Sequence, residues 1–160
     1  MKKLSSLNEE IYNSDVFQIL FDYEISRCRR YPTPLSLLRI EMTPSASNPE
    51  ALGAAPGVFS SALNAHLRSV DIPSKSGNLF SLLLPNSDKH GAQVVCERLL
   101  AVFKNKFETS EGNSITFSLN IGTTSHVGGP TITGEGVLQK AEEALKQSRS
   151  KGPNTYIFLA

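Results

Sequence analysis

Apolar positions along the chain change period several times, and each change marks an element. Val16, Phe17, Ile19, Leu20, Tyr23 and Ile25 recur at helical spacing behind Ser14 and Asp15, either of which can cap a helix. Tyr31-Pro32-Thr33-Pro34 ends that helix, because proline disfavours helical backbone in the residue before it. LSLLRIEM, Leu35 to Met42, is a nearly continuous apolar run of strand length, as expected of a central strand covered on both faces. The Pro-, Ser-, Ala- and Gly-rich stretch from Thr43 to Ala55 predicts a loop or a frayed helix start. Pro56 suits the first turn of a second helix, whose apolar face is Val58, Phe59, Ala62, Leu63 and Leu67.

PSKSGNLFSLLLP, from Pro73 to Pro85, predicts a hairpin across Ser76-Gly77-Asn78 and a buried strand from Leu79 to Leu84. Asn86-Ser87-Asp88 caps a third helix carrying Ala92, Val95, Cys96, Leu99, Leu100 and Phe103. That helix is expected to end near Phe107, before the turn Ser110-Glu111-Gly112-Asn113. Ile115 to Ile121 alternates and reads as a strand, and Gly122 to Gly136, with five glycines, reads as a loop. Val137 to Ser150 predicts a fourth helix with Leu138, Ala141, Ala144 and Leu145 inward. Gly152-Pro153-Asn154 stops it, and Tyr156 to Leu159 is a last strand.

The order is a helix, then βαββαβ, then αβ. It predicts an α/β fold, an α+β sandwich: a ferredoxin-like βαββαβ core extended by an N-terminal helix and a C-terminal αβ unit. The sheet is expected to be central and mostly antiparallel, with helices packed on its faces. Residues 1–13 read as a polar lead-in and residues 14–160 as a single domain. A chain of 160 residues can bury roughly 70% of its unfolded surface, enough for a real core.

A net charge of +1 gives no long-range pull toward nucleic acid or an anionic membrane. Basic residues cluster at Arg27, Arg29 and Arg30 and at Lys146, Arg149 and Lys151, where helix C-termini favour cations. Cys28 and Cys96 are far apart and have no metal-ligand spacing, which predicts buried thiols in a reducing compartment. MKKLSSLNEE lacks the apolar stretch of a signal peptide, and no apolar run nears the ~20 residues of a membrane span. The expected location is cytoplasmic, with no membrane partner. His66, His90 and His126 are scattered and read as surface or rim residues.

With the element order in place, several phrases carry a resemblance. PLSLLRIEM, RSVD (Arg68 to Asp71), SGNLFSLLLP, TFSLNIG (Thr116 to Gly122) and AEEALKQSRSKGPN (Ala141 to Asn154) occur in the order of the GGDEF domain of diguanylate cyclases. The chain resembles that family over roughly residues 14 to 158. The family condenses two GTP molecules into cyclic di-GMP, so the resemblance implies bacterial cyclic di-GMP signalling.

Joining a 3′-hydroxyl to an α-phosphate is a displacement at phosphorus. It needs metal ions held by carboxylates and help in deprotonating the hydroxyl. In the family, one metal-holding acid ends the first strand and another stands third in the signature turn. By resemblance the first falls on Glu41, the only metal candidate, and the second on Asn78, which is neutral and cannot act as a base. The neighbouring signature acid becomes Leu79, the opening glycine becomes Ser76, and Gly77 remains. Glu41 reads equally as a strand-end acid at the sheet rim, exposed or paired with a nearby cation. After the first strand the family's phosphate- and guanine-binding residues give way to TPSASNPEALGAAPG, where Asn48 is a base-reading or helix-capping amide. Arg149 keeps the charge of a phosphate-binding lysine. Pro153 replaces an arginine, with Lys151 as a stand-in.

These positions imply no catalytic residue, no cofactor, and Mg²⁺ only together with a bound nucleotide. Arg68-Ser69-Val70-Asp71 fits the Arg-x-x-Asp pattern of the family's product-binding inhibitory site, although its gap to Ser76 is one residue shorter than usual. An arginine fork grips phosphate or the guanine edge, and an aspartate accepts from guanine N–H groups. The alternative is a helix-end arginine paired with its neighbouring aspartate. The expected function is a degenerate, catalytically inactive signalling domain acting on a protein partner or as a homodimer. The other readings are a cyclic di-GMP receptor through Arg68 and Asp71, and GTP binding without turnover through Arg149 and Glu41.

Overall fold

The computed structural model describes residues 11–109 and 111–160. Most of the lead-in, residues 1–10, lies outside the described residues, as does Ser110 of the turn after the third helix. Tyr12, near the end of the expected polar lead-in, packs against the domain. It is 4% exposed and forms a parallel bridge with Ser74. Asn13, rather than Ser14 or Asp15, caps α1 (Ser14–Arg30) by accepting a hydrogen bond from Val16 N at 2.9 Å. The buried stripe of α1 is Phe17, Phe21, Ile25 and Cys28. Ile19 and Tyr23, at helical spacing in the sequence, face outward, because the same register puts Phe21 against the sheet.

β1 (Leu35–Ala46) is buried on both faces over its first half and runs four residues past Met42. α2 (Pro49–Ala65) follows after a two-residue bend, so Thr43 to Ala55 holds the end of a strand and the start of a helix, the second of the two expected readings, rather than a long loop. Asn48 accepts from Ala51 N at 2.8 Å and Pro49 stands in the first turn. This cap starts the helix seven residues before Pro56, which therefore sits inside α2 and not at its start. A proline there withholds one backbone donor from the helix. The hairpin is β2 (Ile72–Ser76) and β3 (Leu79–Pro85). α3 (Lys89–Val102) is capped by Asp88, which accepts from Gly91 N at 2.9 Å.

α3 stops short of Phe107, which instead opens a two-residue strand, β4 (Phe107–Glu108), paired with Ile115 and Ser114. β5 (Ser114–His126) continues through Gly122, so the glycine-rich loop shrinks to residues 127–133 before α4 (Gly134–Lys151). β6 (Thr155–Leu159) closes the chain, parallel to β5. The strand order is β2-β3-β1-β5-β4, with β6 also on β5, and every pairing between these strands except β5–β6 is antiparallel. This is the ferredoxin-like core extended at both ends.

Strand alternation splits the core in two. Leu38, Ile40 and Met42 of β1 face α2 and α3, where Phe59 stacks on Phe103 at 4.3 Å and meets Phe80 at 4.7 Å. Leu35 and Leu37 face the other way, toward Phe17, Phe21, Val137 and Ala141 of α1 and α4. Both cysteines are buried as free thiols. Among the described residues no helix is long and apolar enough to cross a membrane.

Candidate functional site

β2 and β3 meet at Ser76 and Leu79, which leaves Gly77 and Asn78 to make the turn. Gly77 has φ +61, and a Cβ there would meet nothing within 4 Å. The turn therefore asks for glycine through its backbone and not through crowding. The Asn78 carbonyl accepts from Met42 N at 3.0 Å, which ties the turn to β1. In register, Glu41 lies opposite Leu79 on one side and Asn120 on the other. The fold thus gathers Glu41, Ser76, Gly77, Asn78 and Leu79 at one end of the sheet.

Arg149 joins them from the last turn of α4. Its Nε donates to Glu41 Oε1 at 2.9 Å and its Nη2 to Oε2 at 3.0 Å. This is a two-pronged ion pair that occupies both carboxylate oxygens. The bonds to Glu41 raise the Arg149 guanidinium further above its ordinary value.

The placement of Arg149 depends on Asn120, which had no assigned role, and on Asn154, expected only as part of the helix stop. Asn120 Nδ2 donates to Ser148 O at 3.0 Å and to Gly152 O at 2.7 Å. Asn154, in left-handed backbone at φ 59, exchanges two bonds with Leu119: its N donates to Leu119 O at 2.7 Å, and its Oδ1 accepts from Leu119 N at 3.1 Å. Both asparagines clamp the end of α4 to β5. The available signal was a polar residue inside the apolar run LNI. Beneath the same helix, a Cβ on Gly122 would fall 2.0 Å from Leu145 N, so α4 lies closer to the sheet than any side chain permits.

A Mg²⁺ site normally draws on one or two carboxylates together with substrate phosphates. Here the turn offers the neutral amide of Asn78, and both oxygens of Glu41 are already bonded to a cation. That donor set does not suit the metal. Among the described residues no group of three or more His, Cys, Asp and Glu side chains lies together to hold one.

Arg68 and Asp71 are elsewhere. Arg68 donates from Nε and Nη2 to Asp71 Oδ1 at 3.0 and 2.8 Å, and its backbone N donates to Oδ2 at 2.9 Å. Nη2 also donates to Pro85 O and Ser87 Oγ, both at 3.0 Å. The Asp71 residue is 2% exposed. This is the helix-end pairing of the alternative reading, and it pins the loop before β2 to the end of β3. Pro85 and Leu79 stand at opposite ends of β3, and six steps of about 3.3 Å put the two ion pairs roughly 20 Å apart. Lys151 joins neither. It lines a cavity of about 540 Å³ with Lys89, Gln93, Tyr156 and Phe158. Asn48 is used as a cap, and its Nδ2 donates to Asn113 Oδ1 at 3.0 Å.

Comparison with known proteins identifies the family and the fold. The family model described as diguanylate cyclase, GGDEF domain, matches residues 9–155, and the chain belongs to that family. Among solved structures, it is similar to the GGDEF domain of FimX from Pseudomonas aeruginosa, with a TM-score of 0.79 and 19% identity over 99% of this chain and 100% of that one. It is also similar to the diguanylate cyclase SiaD of the same organism, solved in complex with its activator SiaC. That match has a TM-score of 0.75 and 18% identity over 96% of this chain and 61% of that one. A third similar structure is the coiled coil and GGDEF domain of DgcB from Caulobacter crescentus in complex with c-di-GMP. There the TM-score is 0.77 and the identity 15%, over 97% of this chain and 85% of that one. A search of curated proteins finds no match.

Proposed function

We propose that this chain is a catalytically inactive GGDEF domain that signals through protein contact in a cyclic di-GMP pathway. The observation that carries the reading is the ion pair between Glu41 and Arg149. One is the expected metal-holding acid and the other the expected phosphate-binding cation, and each neutralises the other. Asn78 adds neither negative charge nor a base. A triphosphate entering this end of the sheet would have to break the pair and would find no second acid for its metal.

A protein-contact role is supported by one relative, SiaD, having been solved in complex with its activator SiaC. The competing reading, a cyclic di-GMP receptor, is supported by DgcB having been solved with c-di-GMP. Such a ligand would have to take Arg68 from Asp71, Pro85 and Ser87.

The test is thermal stabilisation and calorimetric titration of the protein with cyclic di-GMP and, separately, with GTP and Mg²⁺. A ligand at 100 times its Kd adds roughly 2.7 kcal/mol to stability. The expected result is no heat and no shift with either. Saturable binding of cyclic di-GMP replaces the contact reading with a receptor, and saturable GTP binding replaces it with a nucleotide-binding domain.

A further inference from the structure

The outer face of α1, turned away from its buried stripe, carries Asp15, Ile19, Asp22, Tyr23, Ser26 and Arg30, all of them exposed. Steps of three and four residues hold them on one side of the helix. We propose that this face docks against the same face of a second copy of the chain, with the two α1 helices antiparallel.

Three observations carry the proposal. The first is apolar surface. Ile19 is 66% and Tyr23 64% exposed, one helical turn apart. Among the described residues no other two exposed large apolar side chains stand so close in sequence. Scattered single ones are ordinary, whereas neighbours that form a patch mark a contact surface. Val70, 53% exposed, widens the patch, because it lines with Tyr23 and Leu20 a groove of about 410 Å³.

The second observation is charge. The acids of the face, Asp15 and Asp22, lie in the first nine residues of α1, and Arg30 ends it. Neither Asp15 nor Arg30 enters an ion pair within the chain among the described residues. Parallel copies would set Asp15 against Asp15 and Arg30 against Arg30. Antiparallel copies set each Asp15 against the Arg30 of the other, which fixes the orientation, and their helix dipoles then oppose favourably.

The third is register. Asp15 and Arg30 are centred between residues 22 and 23, and so are Ile19 and Ser26. A twofold axis at that point seats each Ile19 against the small Ser26 of the other copy. It also brings each Tyr23 to the Asp22 of the other copy. Asp22 Oδ1 already accepts from Gln18 Nε2 at 2.9 Å, which leaves Oδ2 to accept from the phenol O–H. One surface thus serves as both halves of an isologous contact. A single helix face about 25 Å long covers less than a standard interface, so the dimer is expected to be weak and reversible.

Sedimentation equilibrium of the intact protein, from micromolar to millimolar concentration, tests this. The wild-type protein is expected to pass from monomer to dimer and to stop there. Asp15→Arg and Arg30→Asp each place like charges opposite one another at both ends, and each should weaken the dimer at least tenfold. The double variant Asp15→Arg/Arg30→Asp restores opposite charges and should dimerise within a few fold of wild type. It carries both unfavourable changes against the α1 dipole, so its recovery cannot come from a more stable fold. Ile19→Ser, at an exposed position, should weaken association without unfolding the chain. A wild-type protein that stays monomeric at millimolar concentration overturns the proposal. So does a dimer that the single charge variants leave intact or that the double variant fails to restore. The dimer supplies a partner for the contact reading above and rests on that reading for its role in signalling. Association is read from mass and nucleotide binding from heat, so either can fail without the other.

Discussion

Gly122→Ala is the most revealing single perturbation of the link between fold and site. The added methyl would sit 2.0 Å from Leu145 N, 2.5 Å from Ala141 O and 2.6 Å from Ala144 C. All three are backbone atoms of α4, so no rotamer change relieves the clash. Restoring an ordinary contact near 3.4 Å requires the helix to lift by more than an ångström from β5. Overpacking in a well-filled core costs about 1–3 kcal/mol, and a clash against rigid helix backbone belongs at the top of that range. About 3 kcal/mol in a domain of this size lowers Tm by roughly 6–12 °C. Because α4 carries Arg149, the same lift pulls the guanidinium away from Glu41. The assay is denaturant unfolding of Gly122→Ala beside Gly53→Ala, an exposed α2 position where a Cβ meets nothing within 4 Å. Gly53→Ala should stabilise by about 0.4–1 kcal/mol. If Gly122→Ala unfolds within about 1 kcal/mol of wild type, the close seating of α4 is wrong, and with it the account of how Arg149 is placed.

Two further predictions follow from the buried polar and titratable groups. Arg68→Ala removes both side-chain bonds to Asp71 Oδ1 and leaves the buried carboxylate with the backbone N–H of residue 68 on Oδ2, so it should cost about 3 kcal/mol, the low end for breaking a buried pair because the Arg68 side chain is 49% exposed. Arg149→Ala should cost about 1 kcal/mol or less, since both partners of that pair are partly exposed. Equal unfolding midpoints for the two variants would falsify this ranking. Burial pushes the Cys96 thiol above its ordinary value, so in the folded state it stays protonated where the unfolded thiol ionises. Stability should therefore fall as pH rises above 9.0, by up to about 1.4 kcal/mol per unit from this group, and Cys96→Ala should flatten the slope. The native thiol should also resist labelling at pH 8 until the protein unfolds; rapid labelling of the folded protein contradicts its burial.

The helices and strands with one clear period were legible in the sequence. β1 announced itself as an unbroken apolar run, and Asp88 as a cap. Other features depended on the third dimension. Ile19, Phe21 and Tyr23 are all apolar on one helix, and only packing decides that Phe21 goes inward. Pro56 resembles a helix start until Asn48 and Pro49 start the helix earlier. Gly122 resembles a strand breaker, yet it is the place where a strand admits a helix. The positions at 41 and 76–79 were picked out by resemblance. The partner of Glu41 was not, because Arg149 stands 108 residues away and meets it only through the seating of α4.

The central claim is that this end of the sheet has lost its chemistry, and the most direct measurement is a cyclase assay. The purified protein is incubated with GTP and either Mg²⁺ or Mn²⁺, and cyclic di-GMP is quantified against a protein-free blank. The account predicts no product above the blank with either metal. Product that accumulates in proportion to protein, and disappears in Glu41→Ala, contradicts it.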